Sequence, residues 1–189
     1  MEPEQLRAMI ASAQAGDAPA FAALLDAYGS RLYGYFFRAT NSHHDAEDLL
    51  GELMLRLVQR LKGYDDRGRF EPWLFRIAAN MIRDRIRRNK SSPSAISLSA
   101  ETDDSGPLGD QMPGESVAVE AEMLASEASV ELNEALDRLE TVTRQMILLR
   151  HFGDMSFKEI AETFDCPLGT VLAKVHRGLK SLRNLMGEE

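Results

Sequence analysis

Apolar residues along this chain recur at steps of three and four, and no run alternates strictly with polar residues, so the pattern predicts helices and no sheet. Phe21, Leu24, Leu25, Tyr28, Leu32, Tyr33, Phe36 and Phe37 form one such stripe over residues 20 to 38. After Asn41 and Ser42 a second stripe runs through Leu49, Leu50, Leu53, Met54, Leu57, Val58 and Leu61 and stops near Gly63. The segment YDDRGR reads as a loop. A third helix then opens with Pro72 in its first turn, where the missing N–H would be unpaired anyway, and carries Trp73, Leu74, Ile77, Ala78, Met81 and Ile82 toward a basic end. Aromatics at this spacing are usually core, which is the reading for Tyr33 and Phe75; Trp73 suits the core and a surface contact equally.

From Ser91 the chain becomes rich in Ser, Pro, Gly and acids and loses its apolar period. The period resumes at Val119, Met123 and Leu124, then more firmly at Leu132, Leu136 and Leu139 and at Met146, Ile147 and Leu149. The expected fold is all-α: two small helical modules, residues 1–90 and 119–189, joined by a flexible acidic linker over 91–118.

The second module carries the most specific local signal. Ser156 and Glu159 have the spacing of a capping box, so a helix should start at Phe157, with Ile160, Ala161 and Phe164 inward. Asp165, Cys166 and Pro167 interrupt it before Leu168, Gly169 and Thr170 open another. In that next helix Val171, Val175, Gly178, Leu179 and Leu182 form the inner stripe, with Ala161 and Gly178 small enough for close packing. Lys174, His176, Arg177, Lys180 and Arg183 are left outside. This is a helix-turn-helix whose second helix has a basic outer surface, the form that enters the major groove of DNA.

A net charge of −8 argues at first against a nucleic-acid partner, since binding phosphate calls for surplus Lys and Arg. Its distribution reverses the argument. Residues 83–90 carry Arg83, Arg85, Arg87, Arg88 and Lys90 against Asp84, and residues 166–187 carry four Lys and Arg with no acid. Residues 91–140 hold twelve acids against Arg138 alone, a balance of −11. A solvated face usually mixes signs, so the acid-free stretch favours DNA over plain helical packing. The arginine run after Met81 also suits a helix end, through the dipole.

Cys166 is the only cysteine, which leaves no intrachain disulfide and no cysteine cluster for zinc, and reads as a buried thiol. No basic leader followed by an apolar run and no membrane-length apolar stretch is present, so a cytoplasmic protein without membrane insertion is expected. His44, Asp48 and Glu52 stand four apart on one helical face, but no His or Cys elsewhere completes a metal site, and acids gather at a helix start in any case. No phosphate loop or nucleophile motif appears; the chain is read as a non-enzyme without metal or cofactor.

The sequence MSFKEIAETFDCPLGTVLAKVHRGLKSL resembles the C-terminal promoter-reading domain of bacterial RNA polymerase sigma factors of the extracytoplasmic-function (ECF) group. DAEDLLGELMLRLVQRL resembles that family's polymerase-binding helix, and RFEPWLFRIAANMIRDRIRR its minus 10 helix, in the family's order. The resemblance spans about residues 20 to 187. It implies that Asp45, Asp48, Leu49, Glu52 and Leu53 dock on the coiled-coil clamp of the core polymerase. It implies that Phe70, Trp73, Arg76 and Asn80 face the minus 10 element, holding a base out of the duplex, while Arg83, Arg87 and Arg88 track phosphates. Thr170, Lys174, His176, Arg177 and Lys180 are implied against the minus 35 element as duplex.

The chain departs from the family pattern in places. Gly51 stands where the family usually has glutamine, which removes a polar contact and weakens the helix. Leu172 and Ala173 occupy positions that are often basic and hydroxyl-bearing, and Leu172 is expected to touch a thymine methyl. The linker is longer and more acidic than a minimal connector, and the family implies a path toward the RNA exit channel. Its acidity suits mimicry of nucleic acid in that channel or a plain solvated tether, and the −11 balance of residues 91–140 also suits autoinhibition of the basic faces. The implied partners are core RNA polymerase, promoter DNA and an anti-sigma factor, and the implied free state is a monomer. Two rival readings are a helix-turn-helix regulator acting without polymerase and a sigma-like antagonist that occupies the clamp without initiating.

Overall fold

A computed structural model describes residues 2–91 and 127–187, and all regular structure among them is helical. The first module holds α1 (Pro3–Gln14), α2 (Ala18–Thr40), α3 (His43–Leu61) and α4 (Phe70–Ser91); the second holds α5 (Glu127–Asp137), α6 (Thr141–Phe152), α7 (Phe157–Phe164) and α8 (Leu168–Leu185). The linker expected over 91–118 lies, beyond Ser91, outside the described residues, and so do the apolar positions Val119, Met123 and Leu124.

The breaks fall where local chemistry puts them. Asn41 closes α2 in the left-handed conformation (φ 54°), which a short amide side chain tolerates, and Ser42 caps α3 by accepting the Asp45 N–H at 3.2 Å. Both bonds of the Ser156/Glu159 capping box are made: Glu159 N–H donates to Ser156 Oγ at 3.3 Å and Ser156 N–H to Glu159 Oε2 at 2.8 Å. Asp165, also left-handed (φ 50°), ends α7, and the Cys166 N–H reaches back to the Ala161 carbonyl at 3.1 Å. The helix-turn-helix is therefore built as its sequence specifies. Gly178 lets α8 approach α6, since a β-carbon there would lie 2.6 Å from Thr143 Cγ2 and 2.7 Å from Ile147 Cδ1.

α1 lies outside the stripes singled out above, although Leu6, Met9, Ile10 and Ala13 keep the same spacing of three and four. A helix that short is held by tertiary packing: Ile10 is buried, and Gln14 Nε2 donates to the Leu61 and Tyr64 carbonyls at 2.9 and 2.6 Å. Two expected inward residues are corrected as well: Val58 and Leu179 are about half exposed, Leu179 on the rim of a groove that Leu132, Leu136, Ile147 and Leu182 also line. Cys166 is only half-buried, because it lines a cleft among α4, α6 and α8 rather than a core.

The two modules share one continuous core. In α2 every residue from Leu32 to Phe37 is buried, so the helix is covered all round rather than along the single stripe its period suggests. α1, α3 and α4 of its own module and α6 of the other all pack against it. Gly153, ending α6, sits where a β-carbon would come within 2.9 Å of Phe75 Cβ and Cγ. Arg31 Nη2 donates to the Phe152 carbonyl at 2.6 Å, and Arg38 donates to Asn133 Oδ1 at 2.7 Å and Ser129 Oγ at 3.1 Å, both acceptors being on α5.

Candidate nucleic-acid interface

On α8 the inner residues Val171, Val175, Gly178 and Leu182 are buried against α6 and α7, which turns the opposite face to solvent. Leu172, Ala173, His176, Arg177 and Lys180 are exposed on that face, and Thr170 and Lys174 are half-buried at its edge. The six residues expected at a minus 35 duplex thus line one surface, with Leu172 presenting 44% of its area near the start of the helix, where base edges are read. Lys174 is not idle: its Nζ donates to Glu140, which also accepts from Thr143 Oγ1 at 3.0 Å. These hydrogen bonds, Lys174 first, hold the Glu140 carboxyl below its ordinary range.

α4 carries the other basic face. Trp73, Arg76, Asn80, Arg83 and Arg87 follow one another at steps of three and four, so they share one side of the helix. Asn80, Arg83, Arg87 and Arg88 are exposed and Trp73 and Arg76 half-buried; Trp73 packs on Tyr64 with ring centroids 4.4 Å apart. Phe70 is different. It is 2% exposed, wedged among Tyr28, Tyr64 and Trp73 with centroids 5.5, 5.5 and 5.6 Å away, so here it serves the core. Tyr33 and Phe75 are core residues, and burial pushes the Tyr33 hydroxyl up to about 12.

The candidate docking face on α3 divides by burial. Asp48 is exposed and Asp45 and Glu52 half-buried, but Leu49 and Leu53 are 2% and 0% exposed and anchor the helix to the core. The apolar surface α3 offers outward is Leu55 and Val58, at 69% and 50%. A strict count of the period flags Leu55, which lies opposite the buried stripe. Asp45 is ion-paired with Arg85 and Glu52 with Arg56 at 2.6 Å, while His44 Nε2 lies 3.5 Å from Asp48 Oδ2. With Glu52 turned to Arg56 the His44, Asp48 and Glu52 set does not converge, and among the described residues no group of three or more His, Cys, Asp and Glu is arranged to hold a metal. Among the same residues no helix is long and apolar enough to cross a membrane.

Two family models match the chain: Sigma-70 region 2 over residues 24–92 and Sigma-70 region 4 over residues 129–182. The ECF RNA polymerase sigma factor SigW of Bacillus subtilis is 31% identical over 180 residues, 94% of this chain and 95% of that one. The ECF RNA polymerase sigma-E factor of Haemophilus influenzae is 27% identical over 96% of both chains. Among solved structures, CnrH in complex with the cytosolic domain of CnrY superposes with a TM-score of 0.62 at 22% identity, over 97% of each chain. The sigma factor RpoE in complex with the anti-sigma factor NepR, from Bartonella quintana, gives 0.60 at 19% identity, over 82% of this chain and 89% of that one. These two share the helical fold. With a relative of that identity matched end to end, and both sigma modules matched in order, the chain belongs to the ECF RNA polymerase sigma factors.

Proposed function

We propose that this chain binds core RNA polymerase and carries it to promoters, reading the minus 35 element as duplex through α8 and holding the opened minus 10 element on α4. The division of labour follows the module boundaries: residues 1–90 for polymerase and minus 10 binding, 91–118 as connector, 119–189 for the minus 35 element. The observation that carries the reading is the pair of basic surfaces on α4 and α8, set in a chain of net charge −8. Charge placed that selectively marks where polyanion binds. Its work is binding, without a catalytic step, in the cytoplasm where polymerase acts, as a single copy.

On α4 the contacts fall to Trp73, Arg76, Asn80, Arg83, Arg87 and Arg88, with Phe70 supporting Trp73 from beneath. On α8 they fall to Thr170, Leu172, Lys174, His176, Arg177 and Lys180. On α3, Asp45, Asp48 and Glu52 supply charge complementary to a basic clamp, Leu49 and Leu53 hold the helix in place, and Leu55 and Val58 supply the apolar centre such an interface needs. An anti-sigma factor is the natural inhibitor, since two solved relatives by fold are described in complex with CnrY and with the anti-sigma factor NepR.

Co-elution with core polymerase, followed by permanganate probing of unpaired thymines on a promoter fragment, tests the proposal. A complex that opens DNA only when the chain is present is expected; a chain that binds duplex stably without polymerase would support the ordinary regulator instead.

A further inference from the structure

The cleft among α4, α6 and α8 has a volume of about 430 Å³. Ile86, Val142, Met146 and Phe164 give it an apolar floor, and Arg83, Arg87 and Lys174 stand beside them. Its walls are fixed from behind, because α4 and α6 both pack on α2. A preformed apolar space of that size with a few polar groups is the kind of site that holds a small organic molecule.

Gln145 sets this cleft apart from a mere packing gap. It is 3% exposed and lines the cleft, yet its amide makes no hydrogen bond among the described residues. The buried Ser129 and Asn133, by contrast, accept from Arg38, while Thr143 Oγ1 donates to Glu140 Oε2 and Thr163 Oγ1 to the Glu159 carbonyl. A buried amide without a partner destabilises a fold, so the partner for Gln145 has to come from whatever fills the cleft. Arg83 sets the charge of that occupant. It donates to the Thr163 carbonyl at 2.8 Å and lies 5.5 Å from the centroid of the Phe164 ring, and neither partner cancels its charge. Arg87 and Lys174 are each offset by a carboxylate, Asp84 at 3.1 Å and Glu140.

We propose that this cleft binds a small organic anion with an apolar body: its charged group meets Arg83, its body lies on Ile86, Val142, Met146 and Phe164, and a second polar atom pairs with Gln145. The site goes beyond promoter binding. It stands whether or not α4 and α8 hold DNA, so its test is direct binding and needs no polymerase.

Anilinonaphthalene sulfonate has this build, an anionic group on aromatic rings with an N–H between them, and its fluorescence on titration into the full chain measures affinity. Cys166, the only cysteine, reports the place: it lines the same cleft, so bound probe should slow its alkylation by iodoacetamide. Arg83→Gln should weaken binding about tenfold and Gln145→Leu about three- to tenfold, the range for a charged and a neutral hydrogen bond. Both should still melt cooperatively, and Gln145→Leu should lose no stability, since it removes an amide that the protein leaves unpaired. Val142→Trp, at a position 36% exposed, should fill the cleft and remove both the fluorescence and the protection of Cys166. Leu179→Glu, in the separate groove beside Leu132 and Leu136, should change neither. A wild-type chain that binds no probe, or binds it without protecting Cys166, would overturn the site. Binding that Leu179→Glu abolishes and Val142→Trp leaves intact would overturn it as well, and phenylnaphthylamine, the same rings without the sulfonate, binding as tightly would overturn the anionic class.

Discussion

Lys174, at the edge of the exposed face of α8, donates a hydrogen bond to Glu140, the residue that precedes α6. A lysine expected on promoter phosphate is therefore partly neutralised within its own module. Glu140→Gln should release it, raising nonspecific duplex affinity about two- to fivefold at low salt and steepening the salt dependence by up to about one phosphate contact. Anisotropy titrations over a salt series read both quantities.

Glu140 and Glu159 both have carboxyls held below the ordinary value of 4.5, the first chiefly by the Lys174 hydrogen bond, the second by bonds from Ser156 and Arg69 that outweigh burial. A depressed folded-state value means the stabilisation is complete above the ordinary carboxylate range and is lost as pH falls through the depressed values. The melting temperature should therefore fall between about pH 5 and pH 3, and the fall should be shallower in Glu140→Gln. Thermal denaturation across that range is the check.

Gly51 lies mid-helix in α3 with nothing within 4 Å of a β-carbon placed on it. Gly51→Ala should stabilise the chain by about 0.5–1 kcal/mol, through lower backbone entropy in the unfolded state. The melting point should rise by about 1–4 °C. The absence of the glutamine expected at this position thus costs the fold a little stability as well as a polar contact.

Leu172 is exposed on the basic face of α8 and carries no polar group. Leu172→Arg should move the preference at one minus 35 position from thymine, read by its methyl, toward guanine, read by its O6 and N7. Selection of binding sites from a random pool by the polymerase complex measures this, and an unchanged preference would remove Leu172 from base reading.

Much of this architecture is legible in the sequence because local chemistry determined it. The αL residue Asn41, the Ser42 cap, the Ser156/Glu159 box and the Asp165 turn are each made by groups within a few residues of one another. What escaped depends on distant partners. Period alone finds the stripe on α2 but not that Tyr35 is fully buried with its ring edge-on to Phe75, and the family resemblance implies Phe70 as a stacker without revealing the three aromatic rings that enclose it. The inter-module contacts of Arg31, Arg38, Arg76 and Arg83 join residues 80 to 121 positions apart, beyond any pattern in a local window. On α3, burial divides the candidate face between anchors at Leu49 and Leu53 and exposed residues at Leu55 and Val58, a distinction that acidic and apolar spacing alone leaves open.

The most direct test of the central claim is multi-round transcription of fragmented genomic DNA from the source organism by purified core polymerase, with and without this chain, with sequencing of the transcript starts. The account predicts starts that appear only when the chain is added and that share two spaced upstream elements. A chain that forms a complex with core polymerase yet yields no new start would contradict it and identify an antagonist instead.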